Sequence, residues 1–176
     1  AFRTIQDFPK LYKEFYAVPE YTYNKIRQPN LNPLIGKELN VDGLKTGHTD
    51  AGGYGIVVSG EHQKDQRIIV VVNGLGSKKE RAQESMNLYT WAYRNFRTYQ
   101  LAKKGEPLET APIWLGDKTN VELISEQDVY YSIHKADIQN LKVDVHMKAP
   151  IAAPIQKGRK LAELVVSGSK LQGELR

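Results

Sequence analysis

The chain has 176 residues, of which 40% are hydrophobic and 26% charged, with a formal net charge of +5 and no cysteine. This length and composition predict a globular chain of one or two domains without disulfides or thiolate metal sites. The basic residues are dispersed, which argues against nucleic-acid binding but leaves attraction to an anionic envelope polymer or membrane surface open. No apolar run could span a membrane, and the first residues do not resemble a secretory signal, so an exported protein would carry its signal elsewhere.

The first part of the chain reads as a helix followed by a polar loop. Residues 5–15 place apolar side chains at helical spacing, although Pro9 limits the regular helix. Residues 21–26 alternate like a short strand. Residues 27–34 are rich in Asn and Pro and predict a loop, which either borders a pocket or is a connector held by asparagine hydrogen bonds.

Three strands and a helix are predicted next. The strands are residues 39–49, 54–59 and 67–73, and the third is apolar on both faces, which predicts a central strand covered on both sides. Ser77 and Glu80 have the spacing of a capping box. The result is an antiparallel sheet backed by a terminal helix. The side chains expected to pack on the sheet, up to the helix end, are Met86, Leu88, Tyr89, Trp91, Ala92 and Phe96.

A change of composition after Tyr99 predicts a second domain. Residues 103–107 read as a linker, and short alternating segments separated by turn residues follow it. Such spacing predicts a small all-β, sandwich-like domain. We therefore expect an α+β chain with a first domain over residues 1–101 and a β-rich domain over residues 102–176. The predicted strands of the second domain are residues 112–117, 121–124, 129–134, 141–148 and 160–167.

The stretch with the most specific chemistry is Lys45-Thr46-Gly47-His48, on the first of the three strands. Lys45 is suited to attract a carboxylate and to hold a neighbouring base in the required protonation state. Thr46 adds a hydroxyl donor, and Gly47 leaves room for a substrate backbone to pair with the strand edge. The N–H of His48 is then half of an oxyanion hole. The plainer alternatives are a solvated lysine, a Thr-Gly turn and a structural histidine ring.

Several further stretches accompany this one, namely the rest of Asp42 to Thr49, Gly53-Tyr54, Ile26 to Asn32, Arg81 to Ser85, Trp114 to Asp117 and Val129 to Tyr131. Together they resemble the low-molecular-mass penicillin-binding proteins, the serine D-alanyl-D-alanine carboxypeptidases of peptidase S11 type. The resemblance implies the C-terminal part of a penicillin-binding/β-lactamase-like transpeptidase domain, followed by the family's C-terminal β-rich domain.

The resemblance implies a role for each residue of the motif. The strand of Lys45, Thr46, Gly47 and His48 binds the terminal D-alanine carboxylate of a peptidoglycan stem peptide, or a β-lactam in its place, and Lys45 is catalytic. Arg81 lies near the substrate carboxylate; a solvated arginine in the first helical turn is the alternative. No metal or organic cofactor is implied. The implied location is periplasmic or otherwise extracytoplasmic, with attachment to the inner membrane depending on an anchor outside these residues.

The family's nucleophile belongs to a Ser-x-x-Lys motif far upstream of Lys-Thr-Gly, and its third motif is Ser-x-Asn. Here the patterns occur at Ser132-Ile-His-Lys135, Ser167-Gly-Ser-Lys170 and Ser85-Met-Asn87, in a predicted strand, a turn and the last helix. A nucleophile of this kind must instead begin a buried helix. We therefore expect the serine to lie outside this chain, in a longer enzyme or in a second chain, and the chain alone to be inactive.

Two rival functions remain open. One is a non-catalytic module that binds the cell envelope or a protein partner through its β-rich part. The other is a β-lactamase, which gives no reason for the trailing β-rich domain.

Overall fold

The computed structural model describes residues 2–37, 39–63, 66–168 and 171–174. The chain forms two compact units, Ala1–Arg94 and Asn95–Arg176. The division lies earlier than the predicted boundary after residue 101, because residues 96–102 form a strand of the second unit. The predicted linker over residues 103–107 is a turn inside that unit, where the Lys104 amide donates to the carboxylate of Asp128 at 2.8 Å.

The first unit begins with a broken helix. Helices α1 (Phe2–Asp7) and α2 (Pro9–Leu11) are separated at Phe8, whose φ of −132° is not helical. The break falls at the residue before Pro9, because proline disfavours helical backbone in the residue that precedes it. A π-helical turn, Tyr12–Tyr16, follows. The helical pattern predicted over residues 5–15 is thus confirmed, with the interruption expected at the proline.

A hairpin follows the helical segment. Strands β1 (Glu20–Tyr23) and β2 (Ile26–Pro29) pair antiparallel. Asn24 and Lys25 between them have φ of 47° and 63°, and two consecutive positive φ values are typical of a type I′ hairpin turn. The loop predicted from residue 27 therefore begins only after Pro29, because residues 26–29 are held in the second strand of this hairpin.

The loop after the hairpin is a connector held by asparagine side chains. Asn30 Nδ2 donates to the Val18 carbonyl at 3.0 Å, and Asn30 Oδ1 accepts from the Asn32 amide at 2.9 Å. Asn32 Oδ1 accepts from the Leu34 amide at 3.0 Å, and both of these residues are buried. Of the two interpretations of this loop, the structure supports the connector.

Three antiparallel strands form the sheet of the first unit: β3 (Val41–Thr49), β4 (Gly53–Gln63) and β5 (Gln66–Leu75). Their order is β3-β4-β5, so β4 is central. The expectation that the third strand is central is wrong for the described residues, where Val71 on β5 is 66% exposed. The apolar pattern of β5 indicates that both of its faces can be buried. It does not specify whether another strand pairs with the edge of β5 that faces away from β4.

Helix α3 (Lys78–Asn95) packs on this sheet, and its Met86 and Tyr93 are among the partly buried side chains against the core. Its start has the predicted cap: Ser77 Oγ accepts from the Glu80 amide at 3.1 Å, and the Glu80 carboxylate accepts from the Gly76 amide at 2.7 Å. The buried residues of α3 are Arg81, Ser85 and Tyr89, spaced at i, i+4 and i+8. Leu88 and Trp91 are 40% and 48% exposed and line a groove together with Val72 and Leu75 of β5. Phe96 lies beyond the helix, as the first residue of the next strand.

The core of the first unit lies between α3 and the sheet. It contains one side chain from the connector, four from the strands and one from the helix. The hydroxyl of Tyr89 donates to the carbonyl of Leu39 at 3.2 Å, and Gly60 lies close to the same hydroxyl. The buried core residues are Leu34, Val41, Ile56, Val58, Val70 and Tyr89.

A polar cluster ties the π-helical turn to the sheet. Tyr12 donates its hydroxyl proton to Asp42 at 2.5 Å, and Arg67 binds both oxygens of that carboxylate, at 2.7 and 2.8 Å. Arg67 also donates to Ser59 Oγ at 2.9 Å. Burial, reinforced by Asp42, raises the pKa of Tyr12 above its usual range, and burial with the charge of Asp42 raises the pKa of Tyr89 to about 12.

These two tyrosines should make the first unit sensitive to alkali. Unfolded tyrosine ionises near pH ~10, so between about pH 10 and 12 the unfolded chain releases protons that the folded chain keeps. Stability present below that range is therefore lost as the pH rises through it. In Tyr12→Phe we expect a smaller fall in the urea midpoint between about pH 8 and about pH 11 than in the parent chain. An equal fall in both proteins would contradict this assignment.

The second unit is built from short strands in three small sheets. The strands are β6 (Phe96–Ala102), β7 (Pro107–Trp114), β8 (Asn120–Ile124), β9 (Val129–His134), β10 (Lys142–Met147), β11 (Ile151–Ala152), β12 (Ala162–Gly168) and β13 (Leu171–Glu174). Among the described residues, β6 pairs with β9, β7 lies between β8 and β11, and β12 lies between β10 and β13.

The two three-stranded sheets of this unit share a core. Ala111, Leu123 and Ile151 from the β7 sheet are buried, and Val145 and Met147 of β10 are among the side chains packed against them. Side chains of two sheets that meet in one core are typical of a sandwich. The prediction of an α+β chain with a small sandwich-like β domain is confirmed. No helix among the described residues has the length and apolar character needed to cross a bilayer.

Candidate functional site

The Lys-Thr-Gly-His segment lies on β3, an outer strand of the described sheet. Residues 45–48 pair antiparallel with residues 57–54 of β4. The other edge of β3 pairs with no strand in the part of the chain that the structure describes. An extended ligand therefore has a free strand edge to pair with, as in β-strand addition.

The side chains of this segment alternate between the two faces of the sheet. Thr46 is opposite Ile56, a core residue beneath α3, and is itself buried. His48 shares that face, whereas Lys45 and Gly47 lie on the other face because side chains alternate along a strand. Lys45 is exposed, and its Nζ donates to the carbonyl of Thr46. The four residues are thus divided between the two faces of the sheet rather than lining one face.

Gly47 leaves open space on its face of the sheet. A Cβ built at this position would meet no heavy atom within 4 Å. Gly60 on β4 is different, because a Cβ there would lie 2.3 Å from the Tyr89 hydroxyl. The glycine at position 47 is therefore not required by packing within the described chain.

Arg81 reaches β3 from the first turn of α3. Its Nη1 donates to the carbonyl of Gly47 at 3.4 Å, and its guanidinium carbon lies 5.8 Å from the ring centroid of Tyr54. The residue is only 8% exposed, and its Nε is buried without a hydrogen-bond partner. It forms no ion pair with a described acidic residue. A buried cation of this kind favours binding of an anion, since desolvation without a counter-ion is costly.

The ring of His48 packs against Tyr54. Their centroids are 4.0 Å apart with an interplanar angle of 33°. The plainer interpretation of the imidazole, a structural ring, agrees with this stack. Tyr54 was not assigned a role from the sequence, although Gly52-Gly53 marks the turn that sets it opposite His48.

The serines that fit the family's patterns occupy structural positions. Ser85 is buried in α3 and donates to the Arg81 carbonyl at 2.6 Å. Ser132 lies in β9 of the second unit, 2.6 Å from the hydroxyl of Thr98. Ser167 lies in β12, so the predicted turn at this residue is wrong, since it pairs with Lys142 and Gln172. Lys170 of the same pattern lies outside the described residues.

The described residues contain no group of three or more His, Cys, Asp or Glu side chains that could hold a metal ion.

Comparison with known proteins finds a matching family for each of the two units. Residues 1–76 match the family described as D-alanyl-D-alanine carboxypeptidase, and residues 96–175 match the family described as the C-terminal domain of penicillin-binding protein 5. D-alanyl-D-alanine carboxypeptidase DacA of Haemophilus influenzae is 35% identical over 163 residues, which are 92% of this chain and 41% of the relative. DacA of Escherichia coli is 39% identical over 157 residues, 88% of this chain and 38% of the relative.

Solved structures show the same likeness. Penicillin binding protein 5 from Haemophilus influenzae matches 97% of this chain with a TM-score of 0.86 and 34% identity, over 50% of its own length. Penicillin binding protein 6B from Escherichia coli matches 98% of this chain with a TM-score of 0.65 and 28% identity, over 45% of its own length. The chain thus spans half or less of these relatives. It belongs to the D-alanyl-D-alanine carboxypeptidase family of penicillin-binding proteins.

Proposed function

We propose that this chain is the part of a serine D-alanyl-D-alanine carboxypeptidase that binds the terminal D-alanine of a peptidoglycan stem peptide. The observation that carries the proposal is the buried guanidinium of Arg81, which lacks a described counter-ion and touches the Lys-Thr-Gly strand. A C-terminal carboxylate is an anion suited to this position, because guanidinium groups bind carboxylates through charge-assisted hydrogen bonds. A β-lactam, which also carries a carboxylate, occupies the same place.

Arg81 and the four residues from Lys45 to His48 each have a role in this proposal. Arg81 and Thr46 bind the substrate carboxylate, and the bare backbone at Gly47 lets the peptide lie along β3. Lys45 is the catalytic residue of this chain, since its ammonium keeps a neighbouring base in its reactive protonation state. The N–H of His48 stabilises the oxyanion that develops on the attacked carbonyl.

The reaction needs a serine that lies outside these 176 residues. Its oxygen attacks the carbonyl carbon of the penultimate D-alanine, and the peptide bond to the last D-alanine breaks as the leaving nitrogen takes up a proton. Water then hydrolyses the acyl-serine ester. The lengths of the relatives favour a preceding segment of one longer polypeptide over a second chain as the source of the serine. We call this polypeptide the extended enzyme.

The substrate sets the location of the proposed enzyme. Peptidoglycan stem peptides are exposed outside the cytoplasm, so the extended enzyme works in the periplasm or another extracytoplasmic space. Attachment to the inner membrane then requires an anchor outside these residues.

Release of D-alanine from a synthetic peptide that ends in L-Lys-D-Ala-D-Ala tests the proposal. The extended enzyme should release one D-alanine per peptide, and the 176-residue chain alone should release none. An extended enzyme that folds but releases no D-alanine and is not acylated by benzylpenicillin would contradict the proposal.

An envelope-binding module without catalytic activity is the second candidate. A groove in the second unit favours it, with Ile151 and Leu161 in its floor and Lys148 and Arg159 at its rim. Glu163 also lines the groove but pairs with Lys160, so Lys148 and Arg159 give the lining a net positive charge that suits an anionic polymer. Labelling with a fluorescent penicillin separates the two candidates, because a module without a working acylation site stays unlabelled.

Replacement of Arg81 separates a binding role from a structural one. Because the buried guanidinium has no described counter-ion, Arg81→Met should leave the thermal midpoint of the 176-residue chain unchanged or raised. In the extended enzyme the same change should raise KM for the peptide by about tenfold or more, as expected for loss of a hydrogen bond to a charged group. A clear fall in the thermal midpoint, with KM unchanged, would assign Arg81 to the fold instead.

Gly47→Ala tests whether the substrate backbone lies along β3. The chain should keep its stability, since a Cβ at this position meets nothing. The extended enzyme should lose peptidase activity, because the methyl group occupies the space proposed for the substrate. Gly60→Ala is the contrasting variant, and it should lower stability through its clash with Tyr89. Unchanged activity in Gly47→Ala would contradict the proposed path of the substrate.

A further inference from the structure

Three side chains form a continuous stack between helix α3 and the outer strand. Tyr54 lies at its centre, with the His48 ring centroid at 4.0 Å and the Arg81 guanidinium carbon at 5.8 Å. The second distance is within the range of a cation–π interaction. Tyr54 is half-buried on β4, directly opposite His48 in the sheet register.

The stack is connected to the backbone that the proposed reaction uses. Arg81 Nη1 donates to the carbonyl of Gly47, which belongs to the same peptide unit as the N–H of His48. A trans peptide is planar, so its C=O and N–H point in opposite directions and turn together. A side chain that fixes the Gly47 carbonyl therefore also fixes the direction of the His48 N–H.

The contact between Arg81 and Gly47 does not hold this arrangement by itself. At 3.4 Å it is longer than a typical N–H···O hydrogen bond, and the Nε of the same guanidinium has no partner. The ring of Tyr54 supplies the remaining restraint, since it contacts the guanidinium and the imidazole together.

We propose that Tyr54 is a positioning residue for acylation: it holds Arg81 and His48 so that the Gly47–His48 peptide presents its N–H to the reacting carbonyl oxygen. The proposal rests on the function proposed above. Tyr54 acts through its two neighbours and has no covalent part in the reaction.

Acylation kinetics of the extended enzyme with benzylpenicillin test this role. The first-order acylation rate constant and the Kd of the complex that precedes it are measured for Tyr54→Ala, Tyr54→Leu and Tyr54→Phe. We expect the rate constant of the alanine and leucine variants to fall about ten- to a hundredfold, somewhat less than the loss of a whole oxyanion donor. Kd should rise by a smaller factor, and Tyr54→Phe should recover most of the rate because it keeps the ring.

The variants distinguish positioning from packing and from failure of the proposed function. Tyr54→Leu keeps an apolar side chain, and its thermal midpoint shows whether it is folded. Tyr130→Ala, at a half-exposed tyrosine of β9, is the matched control and should react like the parent. The proposal is overturned if Tyr54→Leu reacts at the parental rate, or if Kd alone changes. If the unsubstituted extended enzyme forms no adduct, the proposed function itself fails and this inference with it.

Discussion

Lys45→Ala in the extended enzyme is expected to slow acylation by benzylpenicillin by about 10²–10³-fold, the loss typical of removing one preorganised electrostatic group from an active site. Lys45 is exposed on the outer strand, so its loss should leave the stability of the 176-residue chain unchanged. Lys45→Arg should also be slow, because a planar guanidinium does not reproduce the compact ammonium. The measurement is the acylation rate at saturating drug, with the thermal midpoint recorded in parallel.

Lys142→Ala is the matched control for this prediction. Lys142 is another exposed lysine on a strand, in β10 of the second unit, and its removal should leave the acylation rate unchanged. If Lys45→Ala were acylated as fast as the parent, Lys45 would be a solvated surface lysine and the catalytic role proposed for it would be wrong.

The largest effect on stability is expected for Asp42→Ala. Asp42 accepts hydrogen bonds from both ends of the Arg67 guanidinium and from Tyr12, and it is about three-quarters buried. Its removal leaves Arg67 partly buried without its main partner, which typically costs about 3 kcal/mol or more in the free energy of unfolding. We expect a loss of about 3 kcal/mol, because both groups keep some contact with solvent. Urea unfolding of the 176-residue chain measures it.

A double substitution shows whether the loss comes from the uncompensated charge. Asp42→Ala combined with Arg67→Met should recover part of the lost stability, since the remaining cation is also removed. Asp50→Ala, in the exposed turn after β3, is the control and should change little. A loss of less than about 1 kcal/mol in Asp42→Ala would show that the pair behaves as a surface ion pair.

Local patterns predicted the elements of the first unit well. The β-branched run over residues 67–73 and the two apolar segments before it predicted the three strands of the sheet. The spacing of Ser77 and Glu80 predicted the start of α3. Both signals depend only on residues close in sequence, namely strand propensity and a side chain that caps its own helix. The position of Lys45 to His48 on a strand followed in the same way.

Features that depend on distant residues were not predicted. The cluster of Tyr12, Asp42 and Arg67 joins residues 30 and 25 positions apart, and no local pattern indicates such a pairing. The place of β5 at the edge of the sheet, among the residues that the structure describes, depends on which strands are neighbours, and hydrophobicity does not specify neighbours.

The division between the units differs from the predicted boundary for a related reason. Residues 96–102 follow α3 without a turn residue, so the sequence has no break where the helix ends and β6 begins. The Lys103-Lys-Gly-Glu-Pro107 stretch after β6 is a clearer turn signal, but it connects two strands of the same unit. The burial of Arg81 was likewise not evident, because a first-turn arginine is usually solvated.

Intact mass spectrometry after incubation with benzylpenicillin, followed by peptide mapping, is the most direct test of the central claim. We predict that the extended enzyme gains one equivalent of the drug, on a serine that precedes these 176 residues, and that the 176-residue chain alone gains none. An extended enzyme that remains unmodified, or an adduct on a serine within residues 1–176, would contradict the account.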